Sequence, residues 1–246
     1  MIRKYSLGIF LVGATAMQVY GASILYYVDG NNGTDEMAAA LATLLGDTVT
    51  VATSPTDFAT KITSGTYQLG IFSAQETYGS AYSAALAALA TFVAGGGLAI
   101  VDSWFTSMPG DISPFGADFT GDTNGTSIIL TAFNSGVANP VSITNPVPPY
   151  AVFSTGFTLD ATTGTSIAAT FSGTIGGEAA IVTGNGGRSI VNGFLNDTAG
   201  AAGEQIYINE INQLLSATPE PASWGLLGLG LVTLLGYSRF RTRKGI

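Results

Sequence analysis

The sequence predicts an α/β domain built on a doubly wound, mostly parallel sheet, with a β-rich excursion and a hydrophobic helix at each end of the chain. Short apolar runs alternate with helical patterns over residues 22–104, as expected of parallel strands joined by crossover helices. Residues 105–175 show no helical pattern and are rich in Gly, Thr, Ser, Asn and Pro. Both chain ends carry an uncharged apolar stretch.

The first half of the domain should contain four strands and three helices. The predicted strands are 23–28, 48–51, 67–72 and 98–101, and the predicted helices are 35–45, 55–63 and 80–94. Thr34 is a candidate N-cap for the first helix, and Ser54-Pro55 begins the second. The run Leu98–Val101 is continuously apolar, which is typical of a parallel strand buried on both faces.

The second half is predicted to be mainly β-structure. Strands are expected at 128–133, 150–154, 166–171, 179–183 and 189–192, followed by a helix over 203–216. The segment Gly184–Gly187 between the last two strands is a hairpin signal. Tyr207, Ile211 and Leu214 recur at helical spacing and should face the core.

This order of elements resembles the flavodoxin-like, class I glutamine amidotransferase-like fold, including its ThuA-like relatives. The resemblance rests on the βαβαβαβ opening, on Gly95–Val101, and on the closing hairpin followed by Gly193–Asp197. It implies a nucleophile directly after the fourth strand, where family amidotransferases use Cys with His and Glu. This chain has Asp102-Ser103-Trp104 there and contains no Cys or His, so we expect no enzyme of that kind.

The N-terminus has the pattern of a secretory signal peptide. Arg3 and Lys4 precede an uncharged, mostly apolar stretch from Tyr5 to Ala16. A membrane-spanning helix needs about 20 apolar residues, so this stretch is too short for a permanent span. We expect signal peptidase to remove residues 1–21.

The C-terminus combines three features in a fixed order. Pro219-Glu220-Pro221 is followed by an apolar stretch over 222–237. As a transmembrane helix this stretch would reach about 24 Å. A terminal basic cluster, which should stay cytoplasmic, closes the chain. Its members are Arg239, Arg241, Arg243 and Lys244.

The tail over 218–246 resembles the PEP-CTERM sorting domain. That resemblance implies cleavage near Pro-Glu-Pro by a membrane exosortase, after a stage in which the tail holds the protein in the inner membrane. It also implies a Gram-negative bacterium that makes exopolysaccharide. The expected destination is the cell surface or the extracellular matrix, and the α/β domain then covers 22–217, with its β-rich insertion at about 105–175.

Charge excludes one class of partner. Between the two ends only two basic residues remain, Lys61 and Arg188, against fifteen acidic ones, a net charge of −13. Such a surface repels nucleic acid and attracts cations. We therefore expect no nucleic-acid partner.

Several polar residues directly follow predicted strands, where ligands of open α/β sheets bind. The candidates are Asp29, Asn31, Glu76, Asp102, Ser103, Trp104, Asn196 and Asp197. They could bind a sugar with Trp104 stacking on the ring, hold Ca²⁺, or cap helices and loops. Glu76 and Asp102 could also form a glycosidase pair. We predict a non-catalytic binding or structural module, with a carbohydrate-active hydrolase as the alternative.

Overall fold

The computed structural model describes residues 21–76, 79–103, 110–123, 125–147, 154–172 and 178–216. Residues Gly21–Thr218 form one compact unit. The predicted signal peptide, the sorting tail with its apolar stretch over 222–237, and Trp104 lie outside the described residues. No helix in the described ranges combines the length and the apolar character needed to cross a membrane.

The first half alternates strands and helices at nearly the predicted positions. Its elements are β1 (Ser23–Val28), α1 (Glu36–Ala42), β2 (Thr48–Val51), α2 (Pro55–Ile62), β3 (Leu69–Ala74), α3 (Ser80–Ala94) and β4 (Leu98–Ser103). Ser54 caps α2, accepting a hydrogen bond from the Asp57 backbone N–H at 3.0 Å. Asp35, not Thr34, caps α1, because its Oδ1 accepts the Ala38 N–H at 2.8 Å.

The second half is mainly β-structure until the last helix. It contains a short 3₁₀ turn (Ser113–Phe115), β5 (Ala117–Thr123), β6 (Ser127–Leu130), β7 (Val141–Ser142), β8 (Ser154–Leu159), β9 (Gly164–Ser172), β10 (Ala179–Gly184), β11 (Ser189–Asn192) and α4 (Ala201–Ser216). The predicted strand at 150–154 is described only from Ser154 onward, where β8 begins.

The predicted doubly wound, mostly parallel sheet is wrong. Within the described residues, eleven strands form one mixed sheet, whose main path runs β2-β1-β3-β4-β11-β10-β9-β6-β7, with β8 paired to β10 and β5 to β8. Only β2, β1, β3, β4 and β11 pair in parallel. All pairings beyond β11 in the described chain are antiparallel. The predicted excursion is therefore an extension of the central sheet.

The turn between β10 and β11 explains the change of direction. Asn185, Gly186 and Gly187 have φ values of 54°, 68° and 87°, the left-handed region that tight reversals require. The reversal places Val182 opposite Val191 in an antiparallel ladder. Because β10 offers its other edge to β8 and β9, the antiparallel half grows from this hairpin.

Two apolar layers enclose the parallel half of the sheet. Helices α1 and α4 pack together, as do α2 and α3. Side chains of β1 alternate between the layers, with Ile24 and Tyr26 in one and Leu25 and Tyr27 in the other. The helices thus cover both faces and leave the carboxyl ends of the parallel strands at one edge.

Candidate functional site

The loops that leave the carboxyl ends of β1, β3, β4 and β11 form one polar edge, which we call the rim. Its described members are Asp29, Asn31, Gln75, Glu76, Asp102, Ser103, Asn196 and Asp197. Hydrogen bonds link most of these side chains to a neighbouring loop.

Asp29 joins the loop after β1 to the loop after β3. Its Oδ1 accepts the Gln75 N–H at 2.6 Å, and its Oδ2 accepts the Glu76 N–H at 3.0 Å. The Tyr82 hydroxyl on α3 donates to the same carboxylate at 3.2 Å. A Cβ at Gly30 would lie 2.6 Å from Glu76 Cδ, so a larger residue there would displace the end of the Glu76 side chain. The Glu76 side chain itself is exposed.

Gln75 connects three loops from a buried position. Its Nε2 donates to the Gly30 carbonyl at 2.6 Å and to Asn31 Oδ1. Its Oε1 accepts the Asn196 N–H at 2.5 Å. The side chain is 4% exposed, so these bonds are shielded from competing water. Gln75 therefore holds together the loops that follow β1, β3 and β11.

Asn196 binds the start of α1 from a distant part of the chain. Its backbone carbonyl accepts the Glu36 N–H at 3.0 Å, and its Oδ1 accepts the Met37 N–H at 2.6 Å. Its Nδ2 donates to the Tyr26 hydroxyl at 3.0 Å and to Asp35 Oδ1 at 2.9 Å. These bonds satisfy two of the backbone donors that a helix N-terminus leaves unpaired.

Asp197 holds the loop between β1 and α1. Its Oδ2 accepts the backbone N–H groups of Asn32 at 2.7 Å and Gly33 at 3.0 Å. The residue is 8% exposed, so this charged group is largely removed from water. Like Asn196, it has a structural role in the rim.

Asp102 lies at the centre of a buried polar chain. Ser73 Oγ donates to Asp102 Oδ2, and Asn192 Nδ2 donates to Asp102 Oδ1 at 2.9 Å. The same amide nitrogen donates to Glu210 Oε2 on α4 at 3.1 Å. All four side chains, and Ser103 beside them, are at most 1% exposed. This polar chain therefore extends from the rim into the interior of the domain, and its side chains are closed to solvent.

Glu36 is a further buried acid, at the first position of α1. Its Oε1 accepts the N–H groups of Ala199, at 2.9 Å, and Gly200. We call Glu36, Asp102, Asn192, Tyr207 and Glu210 the buried acid cluster. Five buried atoms in the described residues have no hydrogen-bond partner, and four of them belong to this cluster. They are Glu36 Oε2, Asn192 Oδ1, Tyr207 OH and Glu210 Oε1, with Asp197 Oδ1 as the fifth.

Burial shifts the acids of this cluster toward their protonated forms. Desolvation raises the pKa of Glu36 to about 8, against hydrogen bonds from Gly200 and Ala199 that lower it. Desolvation likewise raises the pKa of Asp102 to about 7, although Ser73 and Asn192 donate to it. The pKa of Glu210 is raised well above its ordinary value, first by burial and then by the charge of Asp102.

No described basic side chain compensates the cluster. Lys61 Nζ lies 2.6 Å from Asp57 Oδ2 on α2. Arg188 donates from Nη1 to the Val93 carbonyl at 2.9 Å. Because the described chain has no other Lys or Arg, protons are the available means of neutralising these buried acids.

The geometry limits what the rim can bind. Within the ranges that the structure covers, no three acidic side chains are grouped so that they could hold a metal ion. The predicted Ca²⁺ site therefore gains no support from these residues. The predicted glycosidase pair combines an exposed Glu76 with an Asp102 that is 1% exposed.

The sequence analysis missed the acids of α1 and α4. Glu210 lies three residues after Tyr207 and directly before Ile211, and all three are buried. An acid within an apolar helical face was the available signal. Glu36 precedes the buried Met37 in the same way.

Comparisons with known proteins match the tail to a sorting motif and the fold to solved structures. The PEP-CTERM protein-sorting motif matches residues 217–244, which supports an exported protein sorted to the cell surface by an exosortase. No curated protein matches the chain. Among solved structures, a β-galactosidase from Bacillus circulans sp. alkalophilus is similar, with a TM-score of 0.53 and 10% identity.

This structural similarity covers 80% of the present chain and 31% of the β-galactosidase chain. The chain thus spans about a third of that enzyme's length, and at this identity the likeness concerns the fold alone. The amidotransferase-like resemblance is not confirmed.

Proposed function

We propose that the chain is a cell-envelope or exopolysaccharide-associated protein whose domain over 22–217 serves as a non-catalytic binding or structural module. Signal peptidase removes residues 1–21. The stretch over 222–237 then holds the protein in the inner membrane of a Gram-negative host until an exosortase cuts the tail. The mature domain ends at the surface or in the extracellular matrix.

The sorting motif over 217–244 is the observation that carries this proposal. Its position at the chain terminus, after a signal-peptide pattern, agrees with export followed by processing. The net charge of −13 between the two ends suits an extracellular protein, because it keeps the domain soluble and disfavours nucleic acid.

The hydrogen bonding of the rim supports a non-catalytic role. Asp29, Gln75 and Asn196 bind neighbouring loops of the same domain. Side chains occupied in this way position backbone and are poorly placed to exchange protons with a substrate. The lack of any Cys or His in the chain also removes the usual amidotransferase nucleophile and base.

The alternative, a carbohydrate-active hydrolase, needs two carboxyl groups that flank a sugar. Retaining enzymes place them about 5–5.5 Å apart and inverting enzymes about 6.5–9.5 Å apart, both open to the substrate. Asp102 is 1% exposed and bonded to Ser73 and Asn192, which speaks against this role. The likeness to a β-galactosidase at 10% identity does not transfer that enzyme's activity.

Fractionation of producing cells tests the proposal. The full chain is expressed in an exopolysaccharide-forming host with an exosortase and in a matched strain without it. We expect protein in the surface or matrix fraction of the first strain and in the inner membrane of the second. Equal distributions would contradict sorting.

An activity measurement tests the non-catalytic part. Recovered protein is incubated with the host exopolysaccharide, and new reducing ends are counted. We expect none above buffer. Release that both Asp102→Asn and Glu76→Gln abolish, but that the control Glu204→Gln on α4 retains, would establish a hydrolase that uses the Glu76–Asp102 pair.

A further inference from the structure

A groove lies at the edge of the sheet opposite the rim, beside the amino ends of β3 and β4. The last residues of α2 and α3 form its walls, and its volume is about 510 Å³. Small-molecule sites typically measure about 300–1,000 Å³. The groove therefore has the capacity of a ligand site.

Two aromatic side chains line this groove. Tyr67 and Phe92 are both half-buried, so each ring keeps an accessible part. Gly97 allows the Phe92 ring to lie against the backbone, since a Cβ there would sit 2.3 Å from Phe92 Cε1. Aromatic rings supported in this way offer flat apolar surface at low entropic cost, which suits stacking against the C–H face of a sugar ring.

Two polar groups of the groove remain available. Gln68 Oε1 accepts the Ser23 N–H at 3.0 Å, which fixes the orientation of the side-chain amide. Within the described part of the chain, neither Gln68 Nε2 nor the Tyr67 hydroxyl has a hydrogen-bond partner. Both can therefore bond to hydroxyl groups of a ligand, as the few oriented polar groups of a binding site do.

The lining carries no charge, although the domain as a whole is strongly acidic. None of the twelve lining residues is Asp, Glu, Lys or Arg, whereas the region between the two sorting ends has a net charge of −13. An anionic polymer would be repelled by the domain and would find no cation in the groove. The combination of apolar rings, free hydrogen-bond groups and neutrality matches an uncharged sugar.

We propose that the groove between Tyr67, Gln68 and Phe92 binds a neutral sugar segment of an exopolysaccharide. This inference rests on the proposed function and names its ligand class and its surface. It places recognition at the amino ends of the parallel strands, away from the predicted rim residues.

Affinity electrophoresis of the protein recovered from exporting cells tests the groove. Gels contain dextran, pullulan or galactomannan as neutral probes, or alginate as an anionic one. We expect retardation by at least one neutral polymer and none by alginate. Tyr67→Ala should weaken binding by about tenfold, because one stacked ring is lost.

Two further variants separate binding from folding. Gln68→Glu retains an oxygen for the Ser23 N–H while replacing the free donor with charge, so it should weaken binding without changing the melting temperature. Phe119→Ala removes a half-buried ring that packs on Phe157, centroids 5.6 Å apart, outside the groove. This control should bind as the parent does.

The outcomes distinguish the groove from the broader proposal. If Tyr67→Ala and Gln68→Glu both still bind the neutral polymer, the groove is not the binding site, although the domain remains a binding module. Absence of retardation by all three neutral polymers, or retardation by alginate alone, also overturns the groove. The proposed function is tested separately, by measuring through fractionation whether the protein reaches the matrix.

Discussion

Raising the pH from 5 to 8 should weaken the fold, because buried acids must release protons that the folded domain retains. Glu36 is 2% exposed and Asp102 is 1% exposed, with no described cation beside them. The folded state raises the pKa of Glu36 to about 8 and that of Asp102 to about 7. The unfolded chain loses the same protons near pH 4.

The sign follows from proton linkage. Between the unfolded and folded pKa values the native state binds more protons, so the free energy of unfolding falls as pH rises. Each pH unit in this interval removes about 1.4 kcal/mol per group. Glu36, whose ordinary pKa is 4.5 and whose folded pKa is about 8, contributes a loss of about 4 kcal/mol between pH 5 and 8.

That loss is a large share of the roughly 5–15 kcal/mol that stabilises a typical domain. Burial raises the pKa of Glu210 well above its ordinary value, so this acid adds to the loss in the same window. The remaining shifted groups act outside it. Hydrogen bonds to Asp57 and Asp160 lower the pKa of each, so their contributions are lost only below about pH 4. Burial raises the pKa of Tyr26 and Tyr207, which affects stability only in strong alkali.

Urea denaturation at half-unit steps from pH 5 to 8 measures the effect. Glu36→Gln keeps a carbonyl oxygen for the N–H groups of Ala199 and Gly200 and removes one titrating group. Its stability should therefore fall less steeply, by about 1.4 kcal/mol per pH unit. Glu204→Gln is the matched control, a half-buried glutamate on α4 outside the buried acid cluster, and it should follow the parent.

A free energy of unfolding that is constant or rises between pH 5 and 8 would refute this reasoning. The reasoning would also be refuted if the free energy of unfolding of Glu36→Gln fell with pH as steeply as that of the parent, since this slope counts the protons released on unfolding.

Three further predictions concern single features of the domain. Tyr207→Phe should raise stability by about 1 kcal/mol in urea melts, because it removes a fully buried hydroxyl with no described partner; a loss of similar size would show that this hydroxyl is bonded. Millimolar Ca²⁺ and Mg²⁺ at matched ionic strength should shift the melting temperature equally, because the described acids form no metal-holding group; a saturable, Ca²⁺-selective rise that Asp102→Asn abolishes would contradict this. Glutamine should yield no ammonia with the purified protein, and turnover that Ser103→Ala abolishes would overturn the expected lack of activity.

Local signals predicted the individual elements well. The Ser54-Pro55 start of α2 and the glycine run from Gly95 that ends α3 lie where the sequence places them. Both depend on backbone chemistry within a few residues, such as a capping hydroxyl or a flexible chain reversal. The hairpin over 184–187 is predictable for the same reason, since it needs left-handed φ values.

Strand pairing was not predictable from such signals. The run 166–171 looks like a strand in isolation, but nothing in it shows that β9 pairs with β10 on one edge and with β6 on the other. Partner choice depends on packing between segments distant in the chain. The strand order of the mixed sheet is therefore known only from the structure.

The position of the candidate site was predictable from the sequence, but the contacts within it were not. The strand-end rule points to the edge of the sheet where Asp29 and Asn196 lie. It cannot show that their polar groups are used inside the domain, because that depends on the loops they meet. Glu36 and Glu210 lie on α1 and α4, which pack together from opposite ends of the domain, so their burial depends on contacts between distant parts of the chain.

Intact-mass analysis of protein recovered from the surface of its native host tests the central claim, export followed by exosortase sorting, most directly. The PEP-CTERM match over 217–244 predicts cleavage near Pro219-Glu220-Pro221, so the recovered chain should lack residues 222–246 and, after signal peptidase, residues 1–21. A matched host without exosortase should retain the tail. Surface protein that still carries residues 222–246 would contradict the account.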